Sequence, residues 1–163
     1  MSKEKTIHCY DYVNHPYAAV RDALSDDSAT VFHDATKSAT TRAKSVASEL
    51  RVNVKGIAVT TDIDIIVHSI VETPKKIMAP AVTKIELEWG AAKMPQFFPV
   101  MRAELSIYKL TATETQLDFL GNYGVPLGAV GSVMDALVGH RIAEASVHQF
   151  IKDVAAFLRT KLS

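Results

Sequence analysis

His140, Arg141, Glu144 and His148 are the side chains in this sequence best placed to do chemistry together. His140, Glu144 and His148 recur every fourth residue, a spacing that stacks them along one face of a helix. A histidine beside a carboxylate suits a general base, with Arg141 or Glu144 orienting either the base or its substrate. The same spacing could bring two or three ligands to one metal ion, but no second histidine or carboxylate cluster supports it, and no metal is expected. A plainer role is also open to His140 and Glu144, as an i, i+4 pair at the rim of a sheet, bonded to each other or to strand ends. Burying either one unpaired would cost on the order of several kcal/mol, so each needs a partner.

Other motifs exclude more than they suggest. The sequence has no GxGxxG, P-loop, HExxH, CxxC or GxSxG, so nucleotide, zinc-protease, dithiol and serine-hydrolase chemistries have no foothold, and no cofactor is expected. Asp62 and Asp64 read as the wet face of a strand rather than an acid/base pair. Gly121, Gly124, Gly128 and Gly131 suit a sharp turn and close helix packing better than phosphate binding. Trp89, Phe97 and Phe98 could line a pocket mouth, and core packing would place them inside equally well.

The candidate residues sit in the stretch around which the rest is organised, Leu127 to Leu162. It lacks proline, and Val130, Val133, Met134, Leu137, Val147, Ile151, Val154, Leu158 and Leu162 form one apolar stripe of helical period. At about 1.5 Å per residue such a helix would be roughly 50 Å long, so it must curve around the body or bend near Gly139. His140 and Glu144 project into the middle of the stripe, where they could face a cavity, with Arg141 and His148 near its edge.

Upstream, Ile7 to Val13 reads as a strand closed by Asn14-His15-Pro16, and Pro16 suits the first turn of a short helix to Leu24. Ser25-Asp26-Asp27 should end that helix, and residues Ser28 to Ser48 suggest one or two more short ones. From Leu50 the period becomes two. Leu50, Val52 and Val54 alternate with polar neighbours, and so do Ile63 to Val71, Thr83 to Trp89, Ala103 to Ile107 and Thr115 to Phe119. Each strand has one wet and one dry face, as an antiparallel sheet covered on one side requires. Five or six strands in a run, with helices kept apart from them, specify an α+β fold. The space between a curled sheet and its covering helix is the default ligand site.

The chain has 163 residues, enough for a single domain spanning 1–163, and its 18 Lys and Arg balance its 18 Asp and Glu. In its overall charge nothing is basic enough to advertise nucleic acid or an anionic membrane. One cysteine, Cys9, rules out an internal disulfide framework. The polar start, Met1 to Thr6, has no apolar segment of signal-peptide type behind it, and no run is long enough to span a bilayer. The expectation is a cytoplasmic protein without integral membrane association, a monomer or a homodimer.

Several segments carry a resemblance. Leu87-Glu88-Trp89-Gly90-Ala91-Ala92, Phe98-Pro99-Val100-Met101 and Ala103-Glu104-Leu105 look like a central hairpin, and Gly121-Asn122-Tyr123-Gly124-Val125-Pro126-Leu127-Gly128 like a turn. With Gly139-His140-Arg141-Ile142-Ala143-Glu144-Ala145 and Asn14-His15-Pro16, the sequence resembles the START-like, or polyketide cyclase/dehydrase and lipid-transport, superfamily. That resemblance implies the helix-grip fold: a curved antiparallel sheet wrapped around a long C-terminal helix, with two short helices near the N-terminus. It implies a hydrophobic cavity whose ligand is a lipid, polyketide or aromatic metabolite. The candidate lining is Trp89, Phe98, Leu105, Phe119, Tyr123, Val133, Leu137, His140 and Glu144. Superfamily members include enzymes, carriers and receptors, so a non-catalytic binding protein, a cyclase or dehydratase using His140, Arg141 and Glu144, and a stress- or partner-binding module all stay open.

Overall fold

A computed structural model describes residues 3–49, 53–54, 57–58, 63–91, 100–125 and 136–163. In chain order these form β1 (Lys3–Val13), α1 (Tyr17–Glu49), β2 (Asn53–Val54), β3 (Ile57–Ala58), β4 (Ile63–Thr73), β5 (Val82–Ala91), β6 (Met101–Thr111), β7 (Glu114–Val125) and α2 (Ala136–Leu162). Strands β4 to β7 make an antiparallel meander and β1 pairs antiparallel with β7, giving the order β1-β7-β6-β5-β4. β2 and β3 pair with each other in a separate two-stranded sheet.

The period-two pattern sets the dry face. Ile85, Leu87 and Trp89 of β5, Ala103, Leu105 and Ile107 of β6, and Leu117 and Phe119 of β7 are all buried. The register places Leu105 opposite both Ile85 and Phe119, so alternation in each strand becomes one continuous apolar surface. Val147, Phe150, Ile151, Val154 and Leu158 of α2 are buried in the same core. The fold is therefore α+β, an antiparallel sheet with its terminal helix on the dry face, as expected.

The N-terminal helical region differs from expectation. A single helix of 33 residues, α1, replaces the two short ones. Ser25 and Asp26 do not end it because they are exposed, while Val20, Ala23, Leu24, Val31, Phe32, Ala35 and Ala39 keep a buried stripe running past them. Threonines that argue against a helix are accommodated in it: Thr36 Oγ1 donates to the Phe32 carbonyl at 2.5 Å and Thr41 Oγ1 to that of Lys37 at 3.1 Å.

β4 also departs from the sequence reading. A register shift between Val67 and Ser69 breaks its alternation, and Ile66, Val67, Ile70 and Val71 are all exposed. β7 runs on through Gly121 and Gly124 to Val125 instead of turning at Gly121. In place of a turn, Gly121 provides clearance: a Cβ there would lie 2.5 Å from Met101 Sδ and 3.0 Å from Phe119 Cε1. The expected helical segment Leu127 to Asp135, the Met94–Pro99 connection, Leu50, Val52, Asp62, Gly128 and Gly131 lie outside the described residues. No helix among the described residues is long and apolar enough to cross a membrane.

Candidate functional site

Tyr123 stands near the end of β7 on the dry face, in a cross-strand row with Met101 and Trp89. All three are buried. α2 begins beyond this end of β7 and brings His140 over Tyr123. The Tyr123 hydroxyl and His140 Nδ1 are 2.5 Å apart, and the two rings stack with centroids 5.9 Å apart. His140 Nε2 lies 3.4 Å from Glu144 Oε2, one turn along the helix. The tyrosine hydroxyl can donate to Nδ1, which leaves Nε2 facing the carboxylate. Burial, with Glu144 nearby, pushes the Tyr123 hydroxyl above its ordinary pKa, which keeps its proton in place for donation.

The His140 side chain is 24% exposed and that of Glu144 is 52%, so the carboxylate is wet while the tyrosine at the other end of the chain is dry. Arg141 and His148 are exposed and do not join this chain. The three groups can hold or pass a proton between a dry surface and solvent, and they can fix a polar ligand atom.

Deeper in, the space between sheet and helices is aromatic. The Phe150 ring packs edge-on against Trp89 at 5.1 Å and Phe119 at 6.4 Å, and stacks on Phe32 of α1 at 5.9 Å. Among the expected lining residues, Trp89, Leu105 and Phe119 are thus buried in packed surroundings, with Leu105 and Phe119 fully covered. Phe98 and Val133 lie outside the described residues, and Leu137 falls in the first turns of α2.

A groove of about 690 Å³ opens where α2 meets β1 and α1. Arg141, Glu144, His148 and Lys152 of α2 line it with Asp11 of β1 and Arg42 of α1. Asp11 is held by Arg159 at 3.0 Å, and Arg159 also donates to the Tyr12 carbonyl. Cys9 lies at its edge and is buried, and burial beside Asp11, Asp118 and Glu144 pushes its thiol up to about 12. Of the residues singled out from sequence, this groove gathers Arg141, Glu144 and His148. Among the described residues no three His, Cys, Asp or Glu side chains converge as a metal ion would require.

Two features escaped the sequence reading. The Tyr123–His140 bond joins a strand to a helix 17 residues on, and no local periodicity reports it. Phe150 could have been found, since it falls three residues after Val147 and four before Val154, on the helical period.

No protein-family model matches the chain, and no curated protein matches it. Solved structures do. The Zhui aromatase/cyclase from Streptomyces sp. R1128 superposes with a TM-score of 0.50 at 12% identity, over 99% of this chain and 97% of that one. The hypothetical protein jhp0584 from Helicobacter pylori gives a TM-score of 0.51 at 7% identity, over 95% of this chain and 88% of that one. Norcoclaurine synthase from Thalictrum flavum gives 0.47 at 10% identity, over 96% and 87%. At such identities the likeness is one of fold, the helix-grip arrangement of sheet and C-terminal helix.

Proposed function

We propose that the protein binds an apolar small molecule, lipid-like, polyketide or aromatic, between the dry face of the sheet and α2, with Tyr123 and His140 holding its polar end. The observation that carries this reading is the 2.5 Å Tyr123–His140 contact, a hydrogen-bonded pair beside the buried row of Trp89 and Met101. One polar group in a hydrophobic site fixes the orientation of a ligand that apolar contact alone only retains. Trp89, Leu105, Phe119 and Met101 would supply the wall, and the sequence alone adds Phe98, Val133 and Leu137 to the proposed lining. Met101 is the adaptable element: its sulfur covers Gly121, and an unbranched thioether can swing aside at low cost.

The test is a pair of ligands matched in size, one hydrocarbon and one bearing a hydroxyl or carbonyl, titrated against the protein and His140→Leu. The polar ligand should lose affinity in the variant and the hydrocarbon should not, because only the former loses a partner. Equal losses would end the orienting role. Native mass spectrometry of freshly purified protein should show a bound organic molecule, and an interior that displaces no apolar fluorescent probe would end the binding reading.

The Glu144–His140–Tyr123 chain also gives a cyclase or dehydratase reading a specific form. Nδ1 faces Tyr123, so His140 would act as base through the tyrosine hydroxyl, with Glu144 holding the ring. Arg141, in the groove and off the chain, would have no part in that step. Turnover of a polyketide-like ketone lost in both Tyr123→Phe and His140→Leu, with the fold intact, would favour catalysis over simple binding.

A further inference from the structure

β4 and β5 keep one register from Ser69–Glu86 to Thr73–Val82. The isolated Lys76–Ala79 bridge continues that same register beyond the strands. Its two backbone bonds, Lys76 N–H to the Ala79 carbonyl at 2.9 Å and Ala79 N–H to the Lys76 carbonyl at 3.2 Å, close a two-residue turn. Pro74 and Pro80 interrupt the ladder between, since neither has an N–H to give and both stiffen the chain. The hairpin therefore ends in a defined projection.

Its tip is Ile77-Met78, where two-residue hairpin turns ordinarily take Asn-Gly or a glycine. Ile77 is 102% exposed and Met78 95%, so neither contributes to the core and folding gives no reason for either. Lys75 and Lys76 immediately precede them. Val82 pairs with Tyr108, so the β6–β7 hairpin ends at the same edge of the sheet and adds Lys109 and the half-exposed Leu110. Acidic groups near this end include Asp22, which pairs with Arg21 at 3.1 Å, Glu72, which also acts electrostatically on Arg21, and Glu114, which accepts from Thr111 at 3.1 Å.

We propose that this end of the sheet docks on a bilayer surface carrying anionic lipid headgroups, with Ile77 and Met78 inserted at the acyl boundary and Lys75, Lys76 and Lys109 over the headgroups. Large exposed apolar side chains beside lysines are the composition of an interfacial anchor, where apolar burial and attraction to anionic lipid add. Lysine stems also lie along apolar surface while their ammonium groups stay at headgroup level. A second copy of the chain fits less well, because tip-to-tip contact would bring like charges together. The surface is separate from the Tyr123–His140 site, so either reading can fail alone.

The experiment is co-sedimentation with phosphatidylcholine vesicles made with and without phosphatidylserine, using the wild-type protein, Ile77→Ser/Met78→Ser and Lys75→Glu/Lys76→Glu. The wild type should sediment with phosphatidylserine vesicles, and added salt should release it. Each double variant should bind about tenfold more weakly or worse. Their thermal unfolding should match the wild type, since the altered side chains are exposed. Equal binding by wild type and the serine variant would overturn the proposal, and so would equal binding to vesicles lacking phosphatidylserine. Self-association that the serine variant abolishes, with no vesicle binding, would reassign the tip to a second copy of the chain.

Discussion

The hydroxyl of Tyr123 and Nδ1 of His140 meet at 2.5 Å, tying the last strand to the terminal helix through a polar bond at the margin of an apolar surface. Tyr123→Phe removes the donor and leaves the ring, so the apolar packing on Met101 should survive. We expect a stability loss of about 1 kcal/mol, the usual net worth of such a bond. The loss in Tyr123→Phe/His140→Leu should be smaller than the sum of the single losses, because both act on one contact. Chemical denaturation of the four proteins measures this, and strict additivity would show that the two side chains are energetically independent.

Phe150 is the residue on which both helices and the sheet converge, touching Phe32, Trp89 and Phe119 at once. Truncating it to alanine should cost about 3–5 kcal/mol if this level is close-packed. Trp89 is the sole tryptophan and lies 5.1 Å from the Phe150 ring, so its emission should shift to the red in the variant. A cost well below that range, with unchanged emission, would mean that Phe150 lines a space able to collapse or to hold a ligand.

Strand alternation made the sheet legible before any coordinates. Ile85, Leu87, Trp89, Leu105, Ile107, Leu117 and Phe119 fall on one face because residues such as Lys84, Glu86, Glu88, Glu104, Ser106, Gln116 and Asp118 alternate with them, and a slip of one residue would have exposed them all. β4 was misread because its bulge breaks the alternation, and a bulge adds a residue without changing composition. α1 was misread because Ser25 and Asp26 carry the signature of a helix end, while the buried Val31 and Phe32 that hold the helix together lie several residues further on. The candidate pair His140 and Glu144 was visible from spacing, whereas its connection to Tyr123 depends on the tertiary fold.

Gly121 offers a test of close approach. A methyl group there would sit 2.5 Å from Met101 Sδ and 3.0 Å from Phe119 Cε1. The methionine can move and the packed phenylalanine ring much less, so Gly121→Ala should cost about 1–3 kcal/mol. Met101→Ala opens space that the new methyl would partly fill. In the double variant the glycine substitution should therefore cost clearly less than it does alone. An unchanged cost would place the clash on Phe119 instead.

Cys9 sets an expectation about alkaline stability. Its thiol is pushed up from 9.0 to about 12, first by burial and then by Asp11, Asp118 and Glu144. In the unfolded chain the thiol ionises near its ordinary value, while in the fold it stays protonated to much higher pH. The folded pKa is the raised one, so this contribution is whole below 9.0 and is lost as pH climbs towards about 12. Wild-type stability should fall across that window, and Cys9→Ala, with no thiol to ionise, should fall less steeply. Tyr123 and Tyr108 are raised in the same direction and remain in both proteins, so the difference between the two slopes isolates the cysteine. Urea midpoints measured at a series of alkaline pH values supply those slopes. Parallel slopes would mean that the buried thiol reaches solvent easily in the folded state, and rapid alkylation of native protein by iodoacetamide near neutral pH would show the same.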